Sequence, residues 1–242
     1  MNLSISAQNR LIFALDLPNR DEAEKYVRLL GESVGCFKVG LELFIKEGPD
    51  IIKMVKENSS ASIFLDLKLH DIPATVSSAL ISAATHEVKF ITIHGSGGKS
   101  ILQTAAEVKN LGLEVLAVTV LTSISELELD DLGFKENLSL SQLVLNRASE
   151  AEKYGCAGVI CSGEEISSIK RVCRSGFKVV VPGIRPLWAE VRKDDQSRTI
   201  TPKEAILKGA DMIVVGRPIR NAKEPDVAAR KIVDEIRSAL IA

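Results

Sequence analysis

Residues 61–76 read ASIFLDLKLHDIPATV, an apolar, strand-like run that carries Asp66, Lys68 and Asp71 within it. Side chains alternate along a strand, so Ile63, Leu65, Leu67 and Leu69 share one face, while Phe64, Asp66, Lys68 and His70 share the other. The first face suits packing beneath helices. The second passes from an aromatic ring into alternating charges. A buried, unpaired charge costs on the order of several kcal/mol, so such residues persist only when paired or put to use.

The same kind of unit recurs along the chain. Strand-like runs fall at 11–16, 36–40, 62–68, 90–94, 114–121, 157–162, 178–184 and 212–217. Helical patterns lie between them at 21–30, 49–57, 99–111, 139–154, 164–174, 202–208 and 225–240. Strands separated by helical crossovers pair in parallel. Eight such strands in 242 residues predict a (β/α)8 TIM barrel, one α/β domain spanning 1–242, ahead of a doubly wound open sheet.

Bulk composition excludes several classes. The 31 basic and 32 acidic residues nearly cancel, which argues against a nucleic-acid partner. The longest apolar runs, such as VLAV at 115–118, are far too short to span a bilayer. Cys36, Cys156, Cys161 and Cys173 show neither CxxC spacing nor a metal-ligand pattern, and suit scattered buried thiols in a reducing compartment. The N-terminal MNLSISAQNR lacks a basic head and a long apolar segment. The expectation is a cytoplasmic protein without a membrane partner.

In a barrel of this type the functional groups gather where the strands end. Here Asp16 closes the first strand and Lys38 sits in the second; Asp66 and Lys68, with Asp71 just beyond, mark the third. His94 ends the fourth, Thr122 and Ser123 follow the fifth, and Ser162 ends the sixth. Arg185 follows the seventh, Gly216 and Arg217 the eighth. Packing alone needs no more than one ion pair, Asp66 with Lys68. Four or five alternating charges at one rim point to chemistry.

A lysine flanked by carboxylates stays cationic, because nearby opposite charge favours the charged form. Lys68 is therefore a poor amine nucleophile but a good fixed cation and a good proton donor to a developing carbanion. Such an array suits a reaction that leaves negative charge on carbon. The opposite side of the rim has a different character. IVVGRPI (213–219) and VPGIRP (181–186) stand where such barrels commonly hold a phosphate. Gly216 permits close approach, and Arg217 supplies a cation that can bind two oxygens at once. The polar stretch 185–200, with Trp188, Arg192, Asp194, Asp195 and Gln196, has the length and polarity of a loop that closes over a ligand. HGSGGKS (94–100) lacks the spacing of a nucleotide-binding loop and reads as a tight strand-to-helix turn. His70 and His86 read as structural.

These residues resemble the orotidine 5'-phosphate decarboxylases. The signature D-x-K-x-x-D, followed by Ile or Val, a small residue, any residue and Thr or Ser, is met by Asp66, Lys68, Asp71, Ile72, Pro73 and Thr75. FALD (13–16), FKVG (37–40), VLTS (120–123), VPGIRP, DDQ (194–196) and VVGRPI (214–219) extend the likeness over the whole chain. Ala74 stands where many members have Asn, a difference that touches a local turn contact and not the charges. The resemblance implies a barrel that dimerises and uses neither a metal nor an organic cofactor. It implies that orotidine 5'-phosphate is the substrate and UMP the product. Lys68 would protonate C6 as carbon dioxide leaves, with Asp66 beside the departing carboxylate. Lys38 and Asp16 would hold the ribose hydroxyls. Asp71 and Thr75 would reach into the partner subunit's site. Thr122, with Ser123, would bind the pyrimidine edge, and Gln196, Arg185, Gly216 and Arg217 the 5'-phosphate.

Two alternatives share parts of this pattern. A magnesium-dependent sugar-phosphate decarboxylase or synthase of the same superfamily has an acid at the second-strand position, where this chain has Lys38. A non-catalytic barrel that binds a phosphate ligand has no use for Asp66, Lys68 and Asp71 together.

Overall fold

The computed structural model describes residues 6–129, 133–134, 138–189 and 198–241. Each strand-like run becomes a strand: β1 (Leu11–Ala14), β2 (Cys36–Gly40), β3 (Ser62–Leu69), β4 (Phe90–His94), β5 (Glu114–Val118), β6 (Gly158–Ile160), β7 (Lys178–Val181) and β8 (Met212–Val215). The strands pair in parallel in sequence order, and β8 closes on β1, so no strand edge is left open.

Both faces of these strands are buried, and the alternation of side chains separates two cores. Leu11, Phe13, Phe37, Val39, Ile63 and Leu65 face outward into the large cluster shared with the helices. Ile12, Ala14, Cys36, Phe64, Phe90, Leu116, Val180, Met212 and Val214 fill the barrel itself. Phe64 and Phe90 meet edge to face at 6.1 Å inside it.

The helices are α1 (Arg20–Leu30), α2 (Leu41–Glu47), α3 (Asp50–Asn58), α4 (Pro73–Thr85), α5 (Gly98–Glu107), α6 (Leu140–Lys153), α7 (Ile166–Val172), α8 (Pro202–Leu207), α9 (Arg217–Arg220) and α10 (Pro225–Leu240). Local chemistry explains several of their starts. Asn19 and Ser139 accept from backbone N–H groups in the first turns of α1 and α6. Thr201 and Glu204 form a reciprocal capping box at α8, with Pro202 in its first turn. The helical patterns at 21–30, 49–57, 139–154 and 225–240 correspond to α1, α3, α6 and α10 within a residue or so at each end.

The differences have physical reasons. α4 follows β3 directly, but in PATVSSALISAAT small residues surround the buried Val76 and Leu80 and the apolar Ile81 lies on the exposed face, so it shows little apolar stripe. α2 is a short helix tucked between β2 and α3. The runs at 11–16, 114–121, 178–184 and 212–217 overshoot β1, β5, β7 and β8 by two or three residues. Leu15 and Thr119 still donate to the neighbouring strands, and the residues beyond them lead onto the rim. The turn at 94–100 is a tight one: a single 3-10 turn, Gly95–Gly97, leads into α5. Cys36, Cys156 and Cys161 are buried, Cys173 is partly so, and all four are free thiols. Among the described residues no helix is long and apolar enough to cross a membrane.

Candidate active site

At the C-terminal mouth of the barrel a cavity of about 560 Å³ opens between the strand ends. Asp16, Lys38, Asp66 and Lys68 line it on one side, and Arg185, Gly216, Arg217 and Arg220 on the other. Thr122 and Ser123 line it as well. Most of the residues named from the sequence therefore converge, but His94 and Ser162, read from the ends of the fourth and sixth strands, do not line the cavity. Asp71 and Thr75 are exposed and do not line this cavity. Gln196 lies outside the described residues, as do Arg192, Asp194 and Asp195.

The charges form a chain. The Lys38 ammonium donates to Asp16 Oδ1 at 2.9 Å and lies 3.4 Å from Asp66 Oδ2. Lys68 Nζ lies 2.8 Å from the same Asp66 oxygen. Asp66 thus stands between two cations, and Lys38 between two carboxylates. Gly40 makes room for this: a Cβ there would sit 3.1 Å from both Asp16 Oδ1 and Lys38 Nζ. Burial pulls the Lys38 ammonium toward its neutral form, but the Asp66 and Asp16 charges outweigh it and hold its pKa above the usual lysine range. Burial likewise opposes the Asp66 carboxylate. The positive charges of Lys38 and Lys68, with hydrogen bonds from Lys68 and Thr92, prevail and hold it below the usual carboxylate range.

The sign of the linkage follows. Asp66 stabilises the fold at pH values above its unfolded pKa of about 3.9, and that contribution is lost as pH falls through its lower folded value. Lys38 contributes below its unfolded value of about 10.4 and is lost as pH rises through its higher folded value. The urea midpoints of the wild type and Asp66→Ala should therefore differ by a constant amount from pH 8 down to about 5, and converge below about pH 4. A difference that grows on acidification would contradict the ionised Asp66.

β3 is distorted where the charges sit. Leu65 is in register with Ile91 and Leu69 with Ile93, so Asp66, Leu67 and Lys68 stand opposite Thr92 alone. Lys68 has a φ of 49°, a left-handed conformation that costs a non-glycine residue about 1–3 kcal/mol. Thr92 is fully buried; its Oγ1 accepts from the Lys68 N–H at 2.9 Å and donates to Asp66 Oδ1 at 3.0 Å. Neither the distortion nor this role for Thr92 is visible in FITIH, where Thr reads as an ordinary β-branched strand residue. His70, read as packing beside the charges, stacks on His94 with centroids 4.9 Å apart. Burial, then the neighbouring His70, Lys68 and Arg147, hold the His94 imidazole below its usual range, so it is neutral at neutral pH.

The other wall is braced from behind. Beyond β7, Ile184 bridges to Ile200 and the Arg185 N–H donates to the Ile200 carbonyl, which ties the two ends of the 185–200 stretch together. Arg198 adds a 2.7 Å ion pair to the buried Glu165, whose other oxygen accepts from Ser162 Oγ at 2.6 Å. Ser162, read as a rim residue, thus serves this anchor. At the upstream end Trp188 is not a stray exposed aromatic. Its Nε1 donates to Glu235 at 2.8 Å and Lys231 lies over its ring, both from α10. Arg220, which sequence reasoning did not single out, donates to the Asp16 carbonyl, and its own carbonyl accepts from Tyr26 at 2.9 Å. A Cβ at Gly216 would meet only Ala14 at 3.5 Å and Asp16 at 3.9 Å, so the backbone there borders open cavity.

A closed parallel barrel with its polar groups at the C-terminal strand ends, charged chain on one side and arginines on the other, defines a (β/α)8-barrel enzyme that handles a small anionic ligand. Comparison with known proteins narrows the class. Residues 9–232 match the model of the orotidine 5'-phosphate decarboxylase / HUMPS family, and the chain belongs to that family. It is 46% identical over 240 residues to the orotidine 5'-phosphate decarboxylase of Desulfosudis oleivorans, covering 98% of this chain and 96% of that protein. The protein of the same name from Carboxydothermus hydrogenoformans is 44% identical over 238 residues, with 96% and 97% covered. The crystal structure of orotidine 5'-phosphate decarboxylase from Lactobacillus acidophilus superposes with a TM-score of 0.81 at 36% identity, covering 93% of this chain and 98% of that one.

Proposed function

We propose that this chain decarboxylates orotidine 5'-phosphate to UMP. The observation that carries the proposal is the ionised Asp66 held between Lys38 and Lys68, across one cavity from Arg185 and Arg217. In this reading the C6–carboxylate bond breaks, carbon dioxide leaves, and the electron pair stays on C6. The Lys68 ammonium gives its proton to that carbon and is reprotonated from solvent. The Asp66 charge disfavours the substrate carboxylate beside it and has no such quarrel with the product. Lys38 and Asp16 hold the ribose hydroxyls and keep the chain of charges in order. Thr122 and Ser123 meet the pyrimidine edge. Arg185, Arg217, Gly216 and Gln196 hold the 5'-phosphate. Binding energy from that remote group positions the ring and lowers the barrier rather than merely tightening binding.

The working unit is a homodimer of one-domain barrels, each spanning 1–242 and acting in the cytoplasm. Asp71 and Thr75 of one subunit complete the site of the other. Their exposure supports this, as does their position outside their own subunit's cavity, Asp71 on the β3–α4 turn beside the exposed Ile72 and Thr75 in the first turn of α4.

Loss of orotidylate absorbance, followed with and without a chelator, tests the activity. Turnover at the same rate in chelator is the expected result. A requirement for magnesium would favour the sugar-phosphate branch of the superfamily, and no turnover would favour a binding protein. Against the magnesium reading, the Lys38 ammonium already fills the space between Asp16 and Asp66 that a cation would need.

A further inference from the structure

We propose that Thr92 is a positioning residue of this reaction, orienting Asp66 and Lys68 through its hydroxyl; the proposal rests on the decarboxylase reading. A hydroxyl has one proton to give. The Lys68 N–H can only donate, so Thr92 Oγ1 must accept from it, and the hydroxyl proton is left for Asp66 Oδ1. That assignment requires an accepting oxygen at Asp66 Oδ1, which the ionised carboxylate between two lysines supplies. Asp66 Oδ1 is thereby committed to Thr92, and its other oxygen Oδ2 faces both lysine ammonium groups.

Lys68 is consequently held at both ends of its own residue. Its N–H is fixed by Thr92, and its Nζ by the carboxylate that Thr92 orients. The ladder offers no alternative, because Thr92 stands alone opposite the distorted segment between Leu65 and Leu69. The hydroxyl replaces the missing backbone partner and supports the left-handed conformation of Lys68. Thr92 is fully buried and does not line the cavity, so it acts through the other two residues and not on the ligand.

Thr92→Val keeps the shape and removes the hydroxyl. The expected result is a fall in kcat of about 10- to 100-fold, with KM changed less than about threefold, as for an interaction that matters only in the transition state. The acidic limb of the kcat profile should also move to higher pH, because Asp66 loses a donor that favours its charged form. Thr92→Ser, which retains the hydroxyl, should return kcat to within about threefold of wild type. A folded Thr92→Val enzyme with wild-type kcat and an unmoved acidic limb overturns the proposal, as does a Thr92→Ser enzyme no better than Thr92→Val. If the valine variant does not fold, Thr92→Cys, a much weaker hydrogen-bonding group, is read by the same criteria. A wild type that does not turn over orotidine 5'-phosphate defeats the decarboxylase reading instead. Thr92's hold on Asp66 is then decided by carbon-13 NMR titration of the Asp66 carboxyl: a higher midpoint in Thr92→Val supports it, and an unchanged midpoint overturns it.

Discussion

Replacing Lys68 with alanine is expected to lower kcat by at least about 10⁴-fold while leaving UMP bound within about tenfold of its wild-type affinity. The size follows from two functions lost together. A positioned general acid contributes typically about 10²–10⁴-fold. A pre-aimed charge at the point where charge develops contributes about 10²–10³-fold more. The lower bound corresponds to about 5.4 kcal/mol, a large share of the roughly 8–23 kcal/mol by which enzymes lower their barriers. UMP carries no carboxylate at C6 and takes its affinity from its phosphate and ribose, so calorimetric titration of UMP separates lost chemistry from a lost site. The variant also leaves Asp66 paired with Lys38 at 3.4 Å, so the carboxylate is not stranded. More than about a tenth of the wild-type rate in Lys68→Ala would end its assignment as proton donor.

Mixing two inactive variants should restore activity. Asp71→Ala and Lys68→Ala subunits, allowed to exchange, give heterodimers in which one site has lost both residues and the other has both intact. Random exchange at equal concentrations makes half of the dimers mixed, so roughly a quarter of all sites, and roughly a quarter of wild-type activity, should return from near zero. The geometry behind this is the separation of Asp71 from its own cavity, although only two residues divide it from Lys68. β3 ends between them, and the chain turns outward into α4. Native mass spectrometry establishes whether the heterodimers form. Heterodimers without recovered activity would mean that each site is completed within one chain.

Eight short apolar runs separated by helical patterns, with side chains that alternate between two faces along residues 62–69, determined the parallel barrel, because strands with two buried faces and helical crossovers have few other ways to pack. The same alternation put Asp16, Lys38, Asp66 and Lys68 on one rim, since a side chain's face follows from its position in the strand. α4 escaped because its alanines and serines leave little stripe to read. Tertiary structure alone decided the order of the charges. Asp66 stands between both lysines, and Lys38 between both carboxylates, only because β1, β2 and β3 are neighbours in a set register. It alone turned Lys68 into the left-handed region and set Thr92 against it, for a residue's backbone angles and the partner across a ladder depend on pairing with a strand more than twenty residues away. Faces are a local property of the chain; contacts between strands belong to the closed barrel.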